Sequence, residues 1–266
     1  MTAAETRQIG DVDMKNNIFD QDNPLFTVMV QADNPDRIKE LIDKSLPMGA
    51  EAFGIMLEQL KRCYKSSDIY RELFSYAKGK PIYVTNSRVA ENSEKSDDEL
   101  AAEMLEIAEC GENLLCDIIG DLFDKQPGEM TYDAEAIKKQ MALIEQLHEK
   151  GANVLISSHI FKFTDSDAVL KIAKEHKRRG ADVSKIVVGA DNMEQQLENL
   201  KIINRLREEL GSPFLFLSNG ECSILRRIGG RLGCCMYLCV CEYDELATPQ
   251  QPLISELELL RNEIKL

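Results

Sequence analysis

The sequence predicts a single (β/α)8 barrel, and three observations carry that reading. Short β-branched or apolar runs alternate with longer helical patterns from residue 25 onward, eight such runs can be counted, and glycines punctuate the joins between helix and strand. The candidate strands are Leu25 to Val30, Ala52 to Leu57, Pro81 to Thr85, Leu115 to Asp121, Asn153 to His159, Val183 to Gly189, Phe214 to Ser218 and Met236 to Val240. A chain of 266 residues is the ordinary length for such a barrel.

Between the strands, apolar residues recur at helical spacing. Ile137, Met141, Ile144 and Leu147 predict one buried stripe; Leu200, Ile203, Leu206 and Leu210 predict another, and Leu253, Leu257, Leu260 and Ile264 a last one. Gly49, Gly151, Gly180 and Gly211 each follow a helical stretch and precede a strand, where a left-handed cap is expected. The competing fold, an open doubly wound sheet, would carry a glycine-rich turn after its first strand, and none follows Val30. Residues 1–24 are polar without a strong period and are expected to be an extension or a cap on the lower end of a catalytic barrel spanning 25–266. Residues 87–99, SRVAENSEKSDDE, form a charged segment after the third strand, to be read as a lid or as a solvated loop.

Composition narrows the function. A net charge of −14 opposes a phosphate backbone or an anionic bilayer, so neither nucleic acid nor membrane is expected as a partner. The start of the chain lacks a basic region followed by an apolar one, which predicts a cytoplasmic protein. The eight cysteines fall mostly in apolar segments and read as reduced core residues; without paired CxxC or clustered histidine, no metal is expected. Dimerisation is carried only as the common habit of soluble enzymes.

Two residues stand out chemically. Lys185 lies within ADVSKIVVGA, a strand apolar on both faces, so its amine is expected to be desolvated. Desolvation disfavours the ammonium and leaves more neutral amine to attack a carbonyl carbon as an imine nucleophile. The alternative is a buried lysine paired with a carboxylate, or one whose amine reaches the barrel mouth. His159 ends the preceding strand, at its carboxyl end, and can take a proton in one step and return it in another. His148 and His176 read as surface residues on polar helix faces.

SSHIFKFTDSDAVL followed by GADVSKIVVGADN resembles the S-x-H-x-F and G-A-D-x-x-K-I segments of type I 3-dehydroquinate dehydratases, which form imines within a barrel. LSNGECSILRRI is similar to that family's segment ending in a carboxylate-binding arginine, here Arg227, and ATPQQP to its S-A-P-G-Q loop, here ending in Gln251. The resemblance spans roughly residues 25–254. It implies that Lys185 forms the imine with a small keto-acid substrate, that His159 moves the protons, and that Phe161 packs beside the ring. Arg227 and Gln251 would bind the substrate with Glu91 and Arg88, and no cofactor is implied.

The departures from the pattern are as specific as the matches. Gly54 and Met56 stand where the family has an E-x-R pair, and Ser87 stands at the family's T-x-R arginine, with Arg88 one residue later. Ala247, Thr248 and Gln250 replace a serine, an alanine and a glycine, and Asn219 a methionine. The expected function is therefore an imine-forming lyase that dehydrates 3-dehydroquinate or a related carboxylate-bearing β-hydroxy ketone. The alternatives are an imine-using aldolase or dehydratase for another keto acid, and a catalytically silent metabolite-binding barrel.

Overall fold

A computed structural model describes residues 19, 20 and 22–263. Most of the proposed 1–24 extension, and Ile264 of the last stripe, lie outside the described residues.

Eight parallel strands, β1 (Leu25–Val30), β2 (Ala52–Met56), β3 (Ile82–Thr85), β4 (Leu114–Ile119), β5 (Asn153–His159), β6 (Val183–Gly189), β7 (Phe214–Asn219) and β8 (Met236–Cys239), pair in the order β7-β6-β5-β4-β3-β2-β1-β8. The backbone bond from Cys235 N–H to Phe214 C=O, 2.9 Å, joins the ends of this sheet into a nearly closed (β/α)8 barrel. Helices α1 (Pro35–Ser45), α2 (Ser67–Tyr76), α3 (Asp97–Ala108), α4 (Ala134–Glu149), α5 (Ser166–Arg178), α6 (Met193–Glu209), α7 (Leu225–Leu232) and α8 (Ile254–Glu263) follow the strands in turn. Caps start them where the sequence allows: Asn34, Ser66, Asp133, Asp165 and Asn192 each accept a backbone N–H of the first turn, and Ser96 with Glu99 forms a capping box. Gly49, Gly151, Gly180 and Gly211 all have positive φ, between 62° and 104°, as their place after helices requires.

Strand alternation sorts the core into two populations. Val154 and Ile156 pack outward with Ile144 and Leu147 of α4, while Leu155 joins Val183, Leu215 and Met236 in a second apolar cluster. Phe19, fully buried, belongs to that second cluster. Six cysteines are buried, Cys222 is half-buried and Cys63 exposed. Burial pushes the Cys116 and Cys234 thiols up to about 12, which keeps them protonated and unreactive.

Two expectations about helix faces are corrected. In α4 the buried face is Ala136, Gln140, Leu143, Ile144 and Leu147, whereas Met141 is exposed. The face is rotated because the Gln140 amide turns inward to donate to the carbonyls of Gly120 and Leu122 and to accept from Arg179. His176 is likewise fully buried, held by two serine hydroxyls, and His148 is half-buried against Asp182 at 2.8 Å.

Candidate active site

Lys185 sits at the third position of β6, with Val183 and Val187 on the same side of the strand. Its register partner on β5 is Ser157, and His159 pairs with Val187. His159 and Lys185 therefore share one face of neighbouring strands, offset by two residues, which separates their Cα atoms by roughly 8 Å. Lys185 is 7% exposed and its amine faces into the barrel: Nζ lies 2.7 Å from Tyr83 Oη of β3 and 3.4 Å from Asp117 Oδ2 of β4. The carboxylate partner considered for Lys185 is thus present, but as the longer of two contacts made inside the barrel.

Asp117 organises this cluster. It accepts the hydroxyl protons of Tyr83 on Oδ2 and of Ser157 on Oδ1, the latter at 2.6 Å. Burial and the adjacent carboxylate push the Tyr83 phenol well above its ordinary range, so Tyr83 keeps its proton and offers the lysine an oxygen lone pair. The Tyr83 ring also underlies the amine, 5.3 Å from Nζ to its centroid.

A second cluster forms at the carboxyl ends of the strands. His159 Nδ1 lies 2.5 Å from Glu129 Oε2, which also accepts the His159 backbone N–H at 3.2 Å. Glu129 comes from the loop after β4 and has a left-handed backbone, φ 54°. Phe161 stacks on the imidazole with ring centroids 5.6 Å apart and is itself 61% exposed. The Nδ1 contact leaves Nε2 of His159 for a reacting group.

The remaining expected site residues are more dispersed. Arg88 is clamped by two nitrogens to Asp97 and by a third to Asp121 at 2.7 Å, so its charge is already matched. That clamp, the fully buried Asn92 and a turn of helix at Ala90–Asn92 tie down the segment after β3. Glu91 lies near Arg62 and lines a depression of about 480 Å³ over the ends of β1 and β2, with Gln31, Arg37, Lys61 and Asp244. Gln251 is buried, and its Oε1 has no partner among the described residues.

Arg227 is half-exposed and pairs with Glu256 of α8 at 3.2 Å. Its neighbour Arg226 is the one turned inward: 6% exposed, it donates to the Ser218 carbonyl and to Asn219 Oδ1 at the end of β7, and no carboxylate pairs with it among the described residues. Burial lowers its affinity for the proton to about 10. A buried guanidinium without a counter-charge has a charge that an anion could match.

On β2, the place of the missing acidic side chain is filled. A Cβ on Gly54 would lie 2.1 Å from Met29 Sδ, so the wall formed by β1 and β2 is thioether rather than carboxylate. A carboxyl does reappear two residues beyond Met56: Glu58 is fully buried and accepts from Thr85 Oγ1 at 2.8 Å and Ser87 Oγ at 3.1 Å. Burial holds its carboxyl above the usual range. Nothing local in the sequence marks Tyr83, Asp117, Glu129, Arg226 or Glu58 as members of this candidate site.

A sequence model of the type I 3-dehydroquinase family matches residues 26–264. The 3-dehydroquinate dehydratase of Alkaliphilus oremlandii is 31% identical over 106 residues, 39% of this chain and 40% of that protein. The 3-dehydroquinate dehydratase of Lactiplantibacillus plantarum is 27% identical over 155 residues, 57% of this chain and 58% of that protein. The aligned stretches thus span about half the length of these curated relatives. A crystal structure of the type I 3-dehydroquinate dehydratase of Clostridium difficile, with covalently modified comenic acid, superimposes with a TM-score of 0.74 at 19% identity, covering 91% of this chain and 94% of that one.

Proposed function

This chain belongs to the type I 3-dehydroquinase family, and from that premise we propose that it is a hydro-lyase that dehydrates 3-dehydroquinate through an imine on Lys185. The observation that carries the reading is the inward amine of Lys185 with the His159 imidazole two residues above it on the next strand.

In this reading, the Lys185 amine gives up a proton to Asp117 and adds to the ring ketone, and that proton returns to the carbinolamine hydroxyl, which leaves as water to form the protonated imine. The Lys185 proton has a short path to Asp117, either directly or across Tyr83 Oη. The iminium then serves as an electron sink, so the neighbouring carbon loses a proton to His159 Nε2 while Glu129 balances the imidazolium through Nδ1. That proton is returned to the β-hydroxyl, which departs as water and leaves a conjugated iminium. Hydrolysis of the imine, again with His159 as proton carrier, restores the amine and releases the enone.

We assign the substrate carboxylate to Arg226, because among the described residues it is a buried cation that no carboxylate matches, whereas Arg227 and Arg88 already hold acidic partners. Gln251 and Phe161 complete the enclosure, one offering a buried amide and the other a ring beside the imidazole. A second reading, an imine-forming enzyme for a less hydroxylated keto acid, is favoured by the Met29 thioether in the space above Gly54. Purified protein mixed with 3-dehydroquinate separates the two. The first predicts growth of the ultraviolet absorbance of a conjugated enone, and no growth at high enzyme concentration transfers the proposal to the second.

A further inference from the structure

We propose that His176, on the outer side of the barrel wall, is a positioning residue that fixes Glu129 and, through it, the orientation of His159. The inference rests on His159 being the proton carrier.

His176 projects from α5 into the space behind β5 and β6, where it is fully buried. Its Nδ1 lies 2.9 Å from Ser184 Oγ and its Nε2 3.1 Å from Ser158 Oγ. These serines are the immediate neighbours of Lys185 and His159, with side chains on the opposite face of the strands. One imidazole thus bridges the two strands directly behind the two reactive side chains.

The direction of each hydrogen bond in this chain can be deduced. Ser158 Oγ donates its one proton to the Glu129 carbonyl oxygen, 2.9 Å away. It therefore has none left for His176, and the imidazole must donate Nε2–H to Ser158 Oγ. Nδ1 is then the acceptor and takes the hydroxyl proton of Ser184. Burial and the nearby Arg179 guanidinium lower the imidazole to about 3, so it stays neutral and holds this one tautomer. Glu175 is the opposing charge on the same helix, and it is engaged by Arg178 and Arg179.

The far end of the chain needs such support. Glu129 has a left-handed backbone, an arrangement a non-glycine residue holds only when its surroundings impose it. The Glu129 carbonyl packs so closely on Gly120 that a Cβ there would stand 2.6 Å from it, 3.0 Å from Ser158 Oγ and 3.2 Å from His176 Nε2. Arg179, also fully buried, pins both ends of the same loop through the Gly120 and Thr131 carbonyls. The backbone of Glu129 is thereby fixed from the outer wall, and its carboxylate is presented to His159 on the inner side.

The test compares His176→Gln with His176→Asn. A glutamine amide nitrogen reaches the Nε2 position and can donate to Ser158, whereas an asparagine amide reaches only as far as Nδ1. Turnover of 3-dehydroquinate and borohydride trapping on Lys185 are measured in both variants, in Glu129→Ala and in the double variant His176→Asn/Glu129→Ala. We expect His176→Asn to lower kcat by about tenfold or more with KM and trapping nearly unchanged, in line with loss of one buried hydrogen bond. His176→Gln should recover most of that loss, and His176→Asn should add less than about twofold once Glu129 is gone, as coupled residues do. Ser158→Ala interrupts the same chain with less disturbance and reports in place of His176→Asn should that variant fail to fold. Equal losses in the Gln and Asn variants, or multiplying effects in the double variant, overturn the proposal. A His159→Ala variant of full activity would instead refute the assignment of His159 on which it rests.

Discussion

Lys185 Nζ and Tyr83 Oη lie 2.7 Å apart although they belong to β6 and β3, three strands from each other in the sheet. The contact places the one inward lysine of β6 at the centre of the barrel rather than at its rim. It also couples the amine to Asp117 through a phenol that keeps its own proton.

Tyr83→Phe removes the oxygen but keeps the ring beneath the amine. The lysine then loses its nearest acceptor and Asp117 one of its donors. The adduct trapped by borohydride should accumulate about tenfold more slowly, the cost of a single buried hydrogen bond. An unchanged rate would show that the phenol plays no part in imine formation.

Arg226 and Arg227 differ in environment despite being neighbours in sequence. Arg226→Met should raise KM for 3-dehydroquinate by about 10- to 100-fold, the range expected for losing a charge-assisted contact. Arg227→Met, which breaks a surface pair with Glu256, should change KM by less than about twofold. Steady-state kinetics on the two variants checks this, and the reverse ranking would return the carboxylate to Arg227.

Most of the architecture was legible because apolar strands and glycine caps are local signals. Leu25–Val30, Asn153–His159 and Val183–Gly189 were read to the residue, and with them the adjacency of His159 and Lys185. What surrounds that pair was not legible. Tyr83 reads as an ordinary strand residue, and Asp117 matters only because the barrel sets β4 and β6 on either side of β5, with both side chains turned into the interior. Glu129 lies in a polar loop, QPGEM, with nothing local to mark it. The choice between Arg226 and Arg227 is a rotation of about 100° on a helix, finer than a motif comparison resolves. His176 reads as a surface residue because α5 is charged around it, whereas the partners that hold it inside, Ser158 and Ser184, come from strands.

That buried imidazole also predicts an acid sensitivity. Its folded value, about 3, is below the ordinary 6.5, so the neutral form is favoured by folding. The associated stability is complete above pH 6.5 and is lost progressively as the pH falls from 6.5 towards 3. Urea midpoints measured across that window should fall less steeply for His176→Gln than for the native chain. Parallel curves would mean that the imidazole is charged in the folded state.

The most direct test of the imine is borohydride reduction in the presence of 3-dehydroquinate, followed by peptide mass analysis. A ligand-derived mass increase is expected on the peptide containing Lys185, with its complete loss in Lys185→Ala and its persistence with slow turnover in His159→Ala. Enone formation without any adduct on Lys185, or an undiminished adduct in the Lys185→Ala protein, would contradict the imine assignment.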